Sequence, residues 1–320
     1  MNFKVLVTPR TFGKGNRLPI TMLEEAGCEL TFNPHDRPFT AAELIPLLRE
    51  TDGIIVGLDP LDAAVLRHAG RLKVISKYGV GLNNIDLELA AEKGILVTYT
   101  PGTNSSAVAE LALGLILDVA RNIAAADREI RRGGWGKYSG LELRGKTLGI
   151  LGTGQIGKEL AARVRGFAMP LLCYDINRDE AWAEQTGAKY LPLKEVLTAA
   201  DIVSIHLPLN EATRHLIGAP ELALLKPAAI LINTARGGIV DEKALYEALA
   251  NQRLHGAGID VFEEEPPRHS PLTELRNVVL TSHSGSHTAE AVLAMGKMAA
   301  QNLIQGLQGK APLHTVGAKR

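Results

Sequence analysis

The chain has 320 residues, a length that suits two domains. It is 46% hydrophobic and 22% charged, the balance of a globular protein with a sizeable core. Its 35 basic residues equal its 35 acidic ones, so no charge excess points to nucleic acid and no charged block to a solvating tail.

In the first hundred residues, short apolar runs at 4–7, 29–32, 53–56, 74–76 and 95–98 read as strands. Helical stretches at 19–26, 41–50 and 87–92 lie between them. Such alternation predicts a parallel sheet covered on both faces. The chain enters a strand almost at once, so no signal peptide is expected. Tyr78-Gly79-Val80-Gly81 follows the fourth strand. Bared backbone amides there would suit a small carboxylate. From these four residues alone, a plain strand-ending turn reads better.

Pro101-Gly102 breaks the chain after the fifth strand, and Asn104-Ser105-Ser106 looks like a helix start. Residues 107–122 then form a long apolar helix, suited to linking two domains. Its most apolar part, 111–117, is bounded by Glu110 and Asp118 and is too short to span a membrane. Trp135 lies in Gly133-Gly134-Trp135-Gly136, where contact with a second subunit and contact within the chain are equally plausible.

A second unit starts near Thr147. The apolar run 148–151 leads into Gly152-Thr153-Gly154-Gln155-Ile156-Gly157, followed by a helical stretch, 158–164. Strand, G-x-G-x-x-G and helix in that order form the context of a dinucleotide site. Gly152 would allow the tight turn, Gly154 close approach of a pyrophosphate, and Gly157 close contact of helix and strand. The next strand, 171–174, ends in Asp175, an acid placed to accept ribose hydroxyls and to repel a 2′-phosphate. NAD is therefore expected over NADP, although Arg178 leaves some room for the latter. Further strands at 202–206, 229–233, 256–261 and 278–281 bring the sheet to six, and residues 289–308 form a last helix that returns to the first domain. The fold class expected is α/β, with two doubly wound parallel-sheet domains.

In such sheets ligands lie beyond the carboxyl ends of the strands. The residues there are His206 before Leu207-Pro208, then Thr234-Ala235-Arg236, then Asp260 with Glu263-Glu264-Glu265, and His283 with Ser284-Gly285. Singly, each reads as ordinary polar surface. Together, at consecutive strand ends, they read as one site. The only cysteines, Cys28 and Cys173, lack metal-ligand spacing, so no metal is expected and a reducing cytoplasm is.

These stretches resemble the D-isomer-specific 2-hydroxyacid dehydrogenases, most closely the phosphoglycerate dehydrogenase-like branch. The resemblance covers almost the whole chain. It rests on Lys77-Tyr-Gly-Val-Gly with Asn84-Ile85-Asp86, Thr100-Pro-Gly with Ala109-Glu110, and the glycine motif. It continues through His206-Leu-Pro-Leu209, Asn233-Thr-Ala-Arg-Gly-Gly-Ile-Val-Asp241 and Asp260-Val-Phe-Glu-Glu-Glu-Pro-Pro267. It implies a Rossmann NAD-binding domain, residues 100–287, inserted in a flavodoxin-like substrate domain, residues 1–99 and 288–320, with the reaction in a cleft between them.

The resemblance also implies the catalytic trio Arg236, Glu265 and His283. Reducing a 2-keto acid puts a hydride on the carbonyl carbon and a proton on its oxygen. His283 would be the acid, and the base in reverse. Glu265 would fix its ring and favour the protonated form. Arg236 would clamp the carboxylate with its planar fork. Gly152, Gly154, Gln155, Ile156, Gly157, Asp175, His206, Leu207, Pro208, Thr234, Ala235, Arg236, Asp260, His283 and Gly285 are the expected cofactor contacts. Tyr78, Gly79, Val80, Gly81, Asn104 and Arg236 are the expected substrate contacts, with Val108 near Asn104. A homodimer is expected, with neither nucleic acid nor membrane as partner.

Some residues depart from the family pattern. The family's Pro-His-Ile or Pro-His-Leu is Ser282-His283-Ser284 here, which makes the surroundings of the acid more polar. The family's Asp-Asn pair after the glycine loop is Asn83-Asn84. Phosphoglycerate dehydrogenases place a basic loop after the third strand, where this chain has Gly57-Leu-Asp-Pro-Leu61. No regulatory domain of the kind many of them carry is expected here. The leading expectation is thus an NAD-dependent D-2-hydroxyacid dehydrogenase acting on a small 2-hydroxy or 2-keto acid. D-3-phosphoglycerate dehydrogenase follows, then a glyoxylate or hydroxypyruvate reductase, many of which prefer NADP. An alternative of another class is an NADH-sensing binding protein like the C-terminal binding protein corepressors. It ranks below because the chain ends soon after its last helix.

Overall fold

Runs such as Gly53–Val56 and Leu148–Leu151 offer water no polar face, and every residue in both is buried. Such strands need cover on both sides, which a parallel sheet with crossover helices provides. The computed structural model describes residues 2–316. It resolves two α/β units: one takes the described residues up to Asn104 and from His287 onward, the other is Ser105–Ser286.

The first unit has five strands: β1 (Phe3–Val7), β2 (Cys28–Phe32), β3 (Gly53–Val56), β4 (Val74–Lys77) and β5 (Leu96–Thr98). They run parallel in the order β2-β1-β3-β4-β5, the flavodoxin-like arrangement. Alternation along each strand splits the core. Leu6, Ile54, Val56 and Ile75 face Leu44, Leu48 and Leu61 on one side, and Val5, Val7, Ile55 and Val74 face Leu23, Met295 and Leu303 on the other. The last helix, Ala289–Leu307, supplies that second side, and Ser76 Oγ donates to its Ala299 carbonyl at 2.8 Å.

The second unit has seven strands: β6 (Leu148–Leu151), β7 (Leu171–Tyr174), β8 (Lys189–Tyr190), β9 (Ile202–Ile205), β10 (Ile230–Asn233), β11 (Gly256–Ile259) and β12 (Val278–Leu280). Their order, β12-β11-β10-β9-β6-β7-β8, is the Rossmann order with one strand added beyond the sixth. The expected count of six is one short. The missed strand, β8, is two residues long at the sheet edge, and Lys-Tyr makes no apolar run. The expected strands 202–206 and 256–261 also ran too far, because His206 and Asp260 already lie past the pleated ladder.

The helix Ser105–Arg121 lies against the helix Gln155–Arg163 and against β10 and β11. The helix Ile123–Arg131 was not expected from the sequence and buries none of its residues. Trp135, beyond it, is 83% exposed, so contact within the chain does not account for it. Among the described residues no helix is long and apolar enough to cross a membrane.

Candidate active site

β6 delivers the chain into Gly152, whose φ is +100°. A Cβ there would lie 2.7 Å from the carbonyl carbon and oxygen of His206. A Cβ on Gly157 would lie 2.2 Å from the Gly152 oxygen. The protein's own backbone therefore requires both glycines. Gly154 differs, because nothing lies within 4 Å of where its Cβ would be. It is also the N-cap of the helix Gln155–Arg163 and provides no side-chain cap. The open space thus fronts a helix terminus with uncapped N–H groups and positive dipole, the setting a pyrophosphate needs. Behind it, Ser105 Oγ donates to Gln155 Oε1 at 3.3 Å, while Ile156 is partly buried against the core.

Asp175 follows β7 and is partly exposed. Its Oδ2 accepts from the Thr153 amide at 2.7 Å and its Oδ1 from the Asn177 amide at 2.8 Å. The neighbouring Cys173 is a buried thiol that burial, with the Asp175 charge, pushes up to about 12. It forms no thiolate at neutral pH.

On the far side of β6, His206 and Thr234 follow the paired strands β9 and β10. His206 Nε2 meets Ser204 Oγ at 2.9 Å, whereas its buried Nδ1 has no partner. Burial pulls this imidazole down to about 4, so the ring is neutral at physiological pH. Thr234 Oγ1 is likewise buried without a partner. A buried polar atom left unpaired costs ~1–3 kcal/mol. Two of them on adjacent strand ends, with the open helix terminus beside them, fit the amide and hydroxyl groups of a dinucleotide. Leu207 and Ala235 are buried nearby, and Pro208 is exposed.

Three loops carry the trio. Arg236 follows β10, and Asn233 Nδ2 holds its carbonyl at 2.9 Å. Burial pulls the guanidinium pKa down, and the Glu265 charge opposes that. The next residue, Gly237, lets this loop touch the second one: a Cβ there would lie 1.8 Å from Phe262 O. On the second loop, Glu265 Oε1 accepts from the Phe262 amide at 3.1 Å, and Oε2 lies 2.8 Å from His283 Nδ1. Burial alone would raise the Glu265 carboxyl. The hydrogen bond and charge of His283, the Phe262 amide and the Arg236 charge together hold it below the usual carboxylate range.

His283 has φ +50°, the left-handed region that non-glycine residues avoid. Asp260 holds it there. The amides of three successive residues converge on this one residue: His283 N on its carbonyl at 2.8 Å, Ser284 N on Oδ1 at 2.8 Å and Gly285 N on Oδ2 at 3.0 Å. Thr281 Oγ1 adds a bond to Oδ1 at 2.6 Å. Sequence reasoning missed this holding role, since spacing does not reveal which groups a buried carboxylate faces. It also missed that the Ser284 hydroxyl turns to Asp260, at 3.3 Å, while Ser282 is exposed. Polarity beside His283 is therefore less than the sequence suggests.

The expected substrate loop belongs to the first unit. Tyr78 N donates to Val56 O at 2.9 Å and Gly79 N to Thr100 Oγ1 at 2.9 Å. Of the four amides, those of Val80 and Gly81 remain as candidates for a carboxylate. Asn104 is buried, with Oδ1 unpartnered. Asp59, the acid standing where phosphoglycerate dehydrogenases place a basic loop, is 1% exposed and accepts from Thr8 Oγ1 and from the Phe39 amide. It offers no repelling charge to solvent, and the contrast with a basic loop rests only on the missing arginine.

A Rossmann sheet, its glycine turn and the polar groups at its strand ends define a nicotinamide-dependent oxidoreductase. Residues 113–285 match the family profile described as D-isomer specific 2-hydroxyacid dehydrogenase, NAD binding domain. The chain belongs to this family: it is an NAD-dependent oxidoreductase acting on the CH–OH group of D-2-hydroxy acids. It is 44% identical over 283 residues to a glyoxylate reductase of Thermococcus litoralis, covering 85% of this chain and 86% of that one. It is 42% identical over 275 residues to a D-3-phosphoglycerate dehydrogenase of Methanocaldococcus jannaschii, covering 85% of this chain but 52% of the relative. Among solved structures it resembles D-lactate dehydrogenase from Aquifex aeolicus complexed with NAD and lactic acid. That match has a TM-score of 0.85 and 27% identity, covering 99% of this chain and 100% of that one.

Proposed function

We propose that this chain reduces a short, unphosphorylated 2-keto acid with NADH, glyoxylate being the first candidate, and that Arg236, Glu265 and His283 carry the chemistry. The observation that carries this reading is the contact of His283 Nδ1 with Glu265 Oε2 at 2.8 Å, with the half-buried Arg236 guanidinium acting on the same carboxylate. NADH, when bound along the glycine turn, supplies the hydride. Glu265 accepts a hydrogen bond from Nδ1–H, which sets the ring's orientation and leaves Nε2–H to donate its proton to the nascent alkoxide. Arg236 meets the substrate carboxylate with a planar fork, and its charge stabilises the developing oxyanion. Asp260 holds the histidine loop in place; in the first unit, the amides of Val80 and Gly81 are proposed as donors to a carboxylate.

Glyoxylate comes first because the Thermococcus litoralis relative bears that activity in its name and is matched over nearly its full length. This moves ahead of 3-phosphoglycerate, whose named relative is only half spanned. A homodimer is proposed from the exposed Ile123, Ile130, Trp135 and Tyr138 around the unburied helix. Work in a reducing compartment is proposed from the two free, buried cysteines.

The test is initial-rate oxidation of NADH and NADPH with glyoxylate, hydroxypyruvate and 3-phosphohydroxypyruvate. The expected result is turnover with NADH and an unphosphorylated acid. A clear preference for the phosphorylated acid would overturn the substrate assignment. Full turnover by His283→Ala would overturn the acid assignment.

A further inference from the structure

We infer that Thr153 and Tyr190 are specificity-determining positioning residues, which fix the Asp175 carboxylate through a hydrogen-bond chain of set direction and thereby select NADH over NADPH. This rests on the reading of Asp175 as the acceptor of the cofactor's ribose hydroxyls.

The chain has four members. Asp175 Oδ2 accepts from Thr153 N at 2.7 Å and from Thr153 Oγ1 at 3.2 Å. Thr153 Oγ1 lies 2.7 Å from the Tyr190 hydroxyl, which accepts from the Asp179 amide at 3.2 Å. The two ends determine every proton between them. An ionised carboxylate only accepts, so the threonine proton points to Asp175. Thr153 Oγ1 then receives the tyrosine proton. The tyrosine oxygen is left to accept from Asp179 N–H, which only donates. Thr153 is buried within the glycine turn itself, so the carboxylate is tied to the loop that approaches the pyrophosphate.

The missed strand β8 gains a role here. Tyr190 pairs with Cys173 of β7, two residues before Asp175, and so brings its hydroxyl back to the glycine turn. Its ring is held by Trp182, at 6.5 Å between centroids, and by the Arg178 guanidinium, 5.8 Å above the ring. Arg178, the cation nearest in sequence to Asp175 that could serve a 2′-phosphate, rests over that ring. With Oδ2 doubly bonded and Oδ1 bonded once by Asn177 N, Asp175 keeps a fixed plane with acceptor capacity for a ribose hydroxyl. Loosening that plane weakens NADH, whose 2′-hydroxyl uses it. NADPH, which presents a phosphate there, gains nothing from the plane and loses nothing with it.

The experiment compares Tyr190→Phe, Thr153→Val, the double variant, Thr153→Ser and Asp175→Ala. Fluorescence titration gives Kd for NADH and NADPH, steady-state kinetics gives kcat and KM, and thermal melting verifies folding. Tyr190→Phe keeps the ring, and with it the Arg178 contact. Each single loss of a hydrogen-bond link is expected to raise the NADH Kd and KM about 3- to 10-fold, the scale of one neutral hydrogen bond. The expected change in kcat and in the NADPH Kd is below about twofold. Because Tyr190 acts only through Thr153, the double variant is expected to bind NADH as Thr153→Val does, a non-additive cycle. Thr153→Ser restores the wild-type preference. An unchanged NADH Kd in Tyr190→Phe, or effects that multiply in the double variant, overturns the inference while Asp175→Ala still weakens NADH. If Asp175→Ala also leaves the NADH Kd unchanged, the ribose reading falls and the inference with it.

Discussion

Replacing Gly237 by alanine tests whether the trio depends on contact between its loops. The added Cβ would lie 1.8 Å from Phe262 O, 2.0 Å from Phe262 C and 2.6 Å from Glu263 N. Ordinary contact is roughly 3.5 Å, so one backbone must retreat by more than about 1 Å. Arg236 precedes this glycine, and Phe262 holds Glu265 through its amide. The retreat therefore separates Arg236 from the Glu265–His283 pair. Misplacing a reacting group by ~1 Å costs ~10²-fold, or about 3 kcal/mol of barrier. Steady-state oxidation of NADH with glyoxylate is expected to show kcat/KM falling by about that factor, with NADH binding little changed because the glycine turn is not touched. Gly238→Ala is the control. Its φ of +77° makes alanine strained, but no backbone atom lies in the way. It is expected to cost ~1–2 kcal/mol of stability with far less effect on rate. If Gly237→Ala folds and keeps kcat/KM within about threefold, with no ~10² loss of the kind expected for a displaced group, the site does not need this close contact of its loops and the reasoning fails.

Other expectations follow from the same geometry. His283→Ala is expected to lose ~10²–10⁴-fold in kcat, the share of a general acid, while fluorescence titration still shows NADH binding. Glu265 is held below its unfolded value, so its contribution to stability is present above the unfolded carboxylate range and is lost as pH falls through the folded one. Thermal melting of Glu265→Gln against pH is therefore expected to show a smaller acid-side decline than wild type. His206 sits near 4 in the folded protein against 6.5 unfolded. The unfolded chain thus binds a proton that the folded ring refuses between those values, and stability falls as pH drops from about 6.5 toward about 4. The full shift corresponds to at most about 3 kcal/mol, less for a partly exposed ring. His206→Gln is expected to narrow the gap in Tm between pH 7.5 and pH 5, and an unchanged gap would count against a neutral buried ring. Asp260→Asn keeps one acceptor oxygen for two amides and is expected to reduce kcat by about 10- to 100-fold through loss of a charge-assisted hydrogen bond.

Some of this was open to reading from the sequence, because burial on two faces leaves continuous apolar runs and a pyrophosphate turn leaves spaced glycines. The strands β3, β6 and β10 are of this kind. Arg236, Glu265 and His283 were marked out by their place at consecutive strand ends, and only the resemblance gave each its proposed role, since an arginine, a glutamate and a histidine carry no periodic signal. What stayed hidden is direction. Asp59 reads only as an acid in place of a basic loop, whereas it accepts from Thr8 and Phe39 inside the first unit. Ser284 reads as a polar neighbour of the site but bonds Asp260. The Gly79 amide reads as an anion donor but is already bonded to Thr100 Oγ1. β8 escaped for a different reason: two polar residues at a sheet edge bury too little to leave a pattern.

These hidden contacts explain how the chain can depart from the family around its histidine and still present the same pair. The position of His283 does not depend on the residues beside it filling an apolar slot. It depends on Asp260, which gathers the amides of 283, 284 and 285 whatever side chains those residues bear. Glu265 is aimed by the Phe262 amide, and Phe262 is set against Gly237 by backbone contact. All three locks are thus made by main chain on main chain or by a carboxylate on main chain, and none involves the side chain of Ser282. Substitution at 282 and 284 is then free to alter what the neighbouring surface admits without moving the acid. In the second unit a preference for one 2-keto acid over another is therefore best sought in the side chains at 282 and 284, and the proposed proton transfer in the main-chain contacts that hold His283 and Glu265.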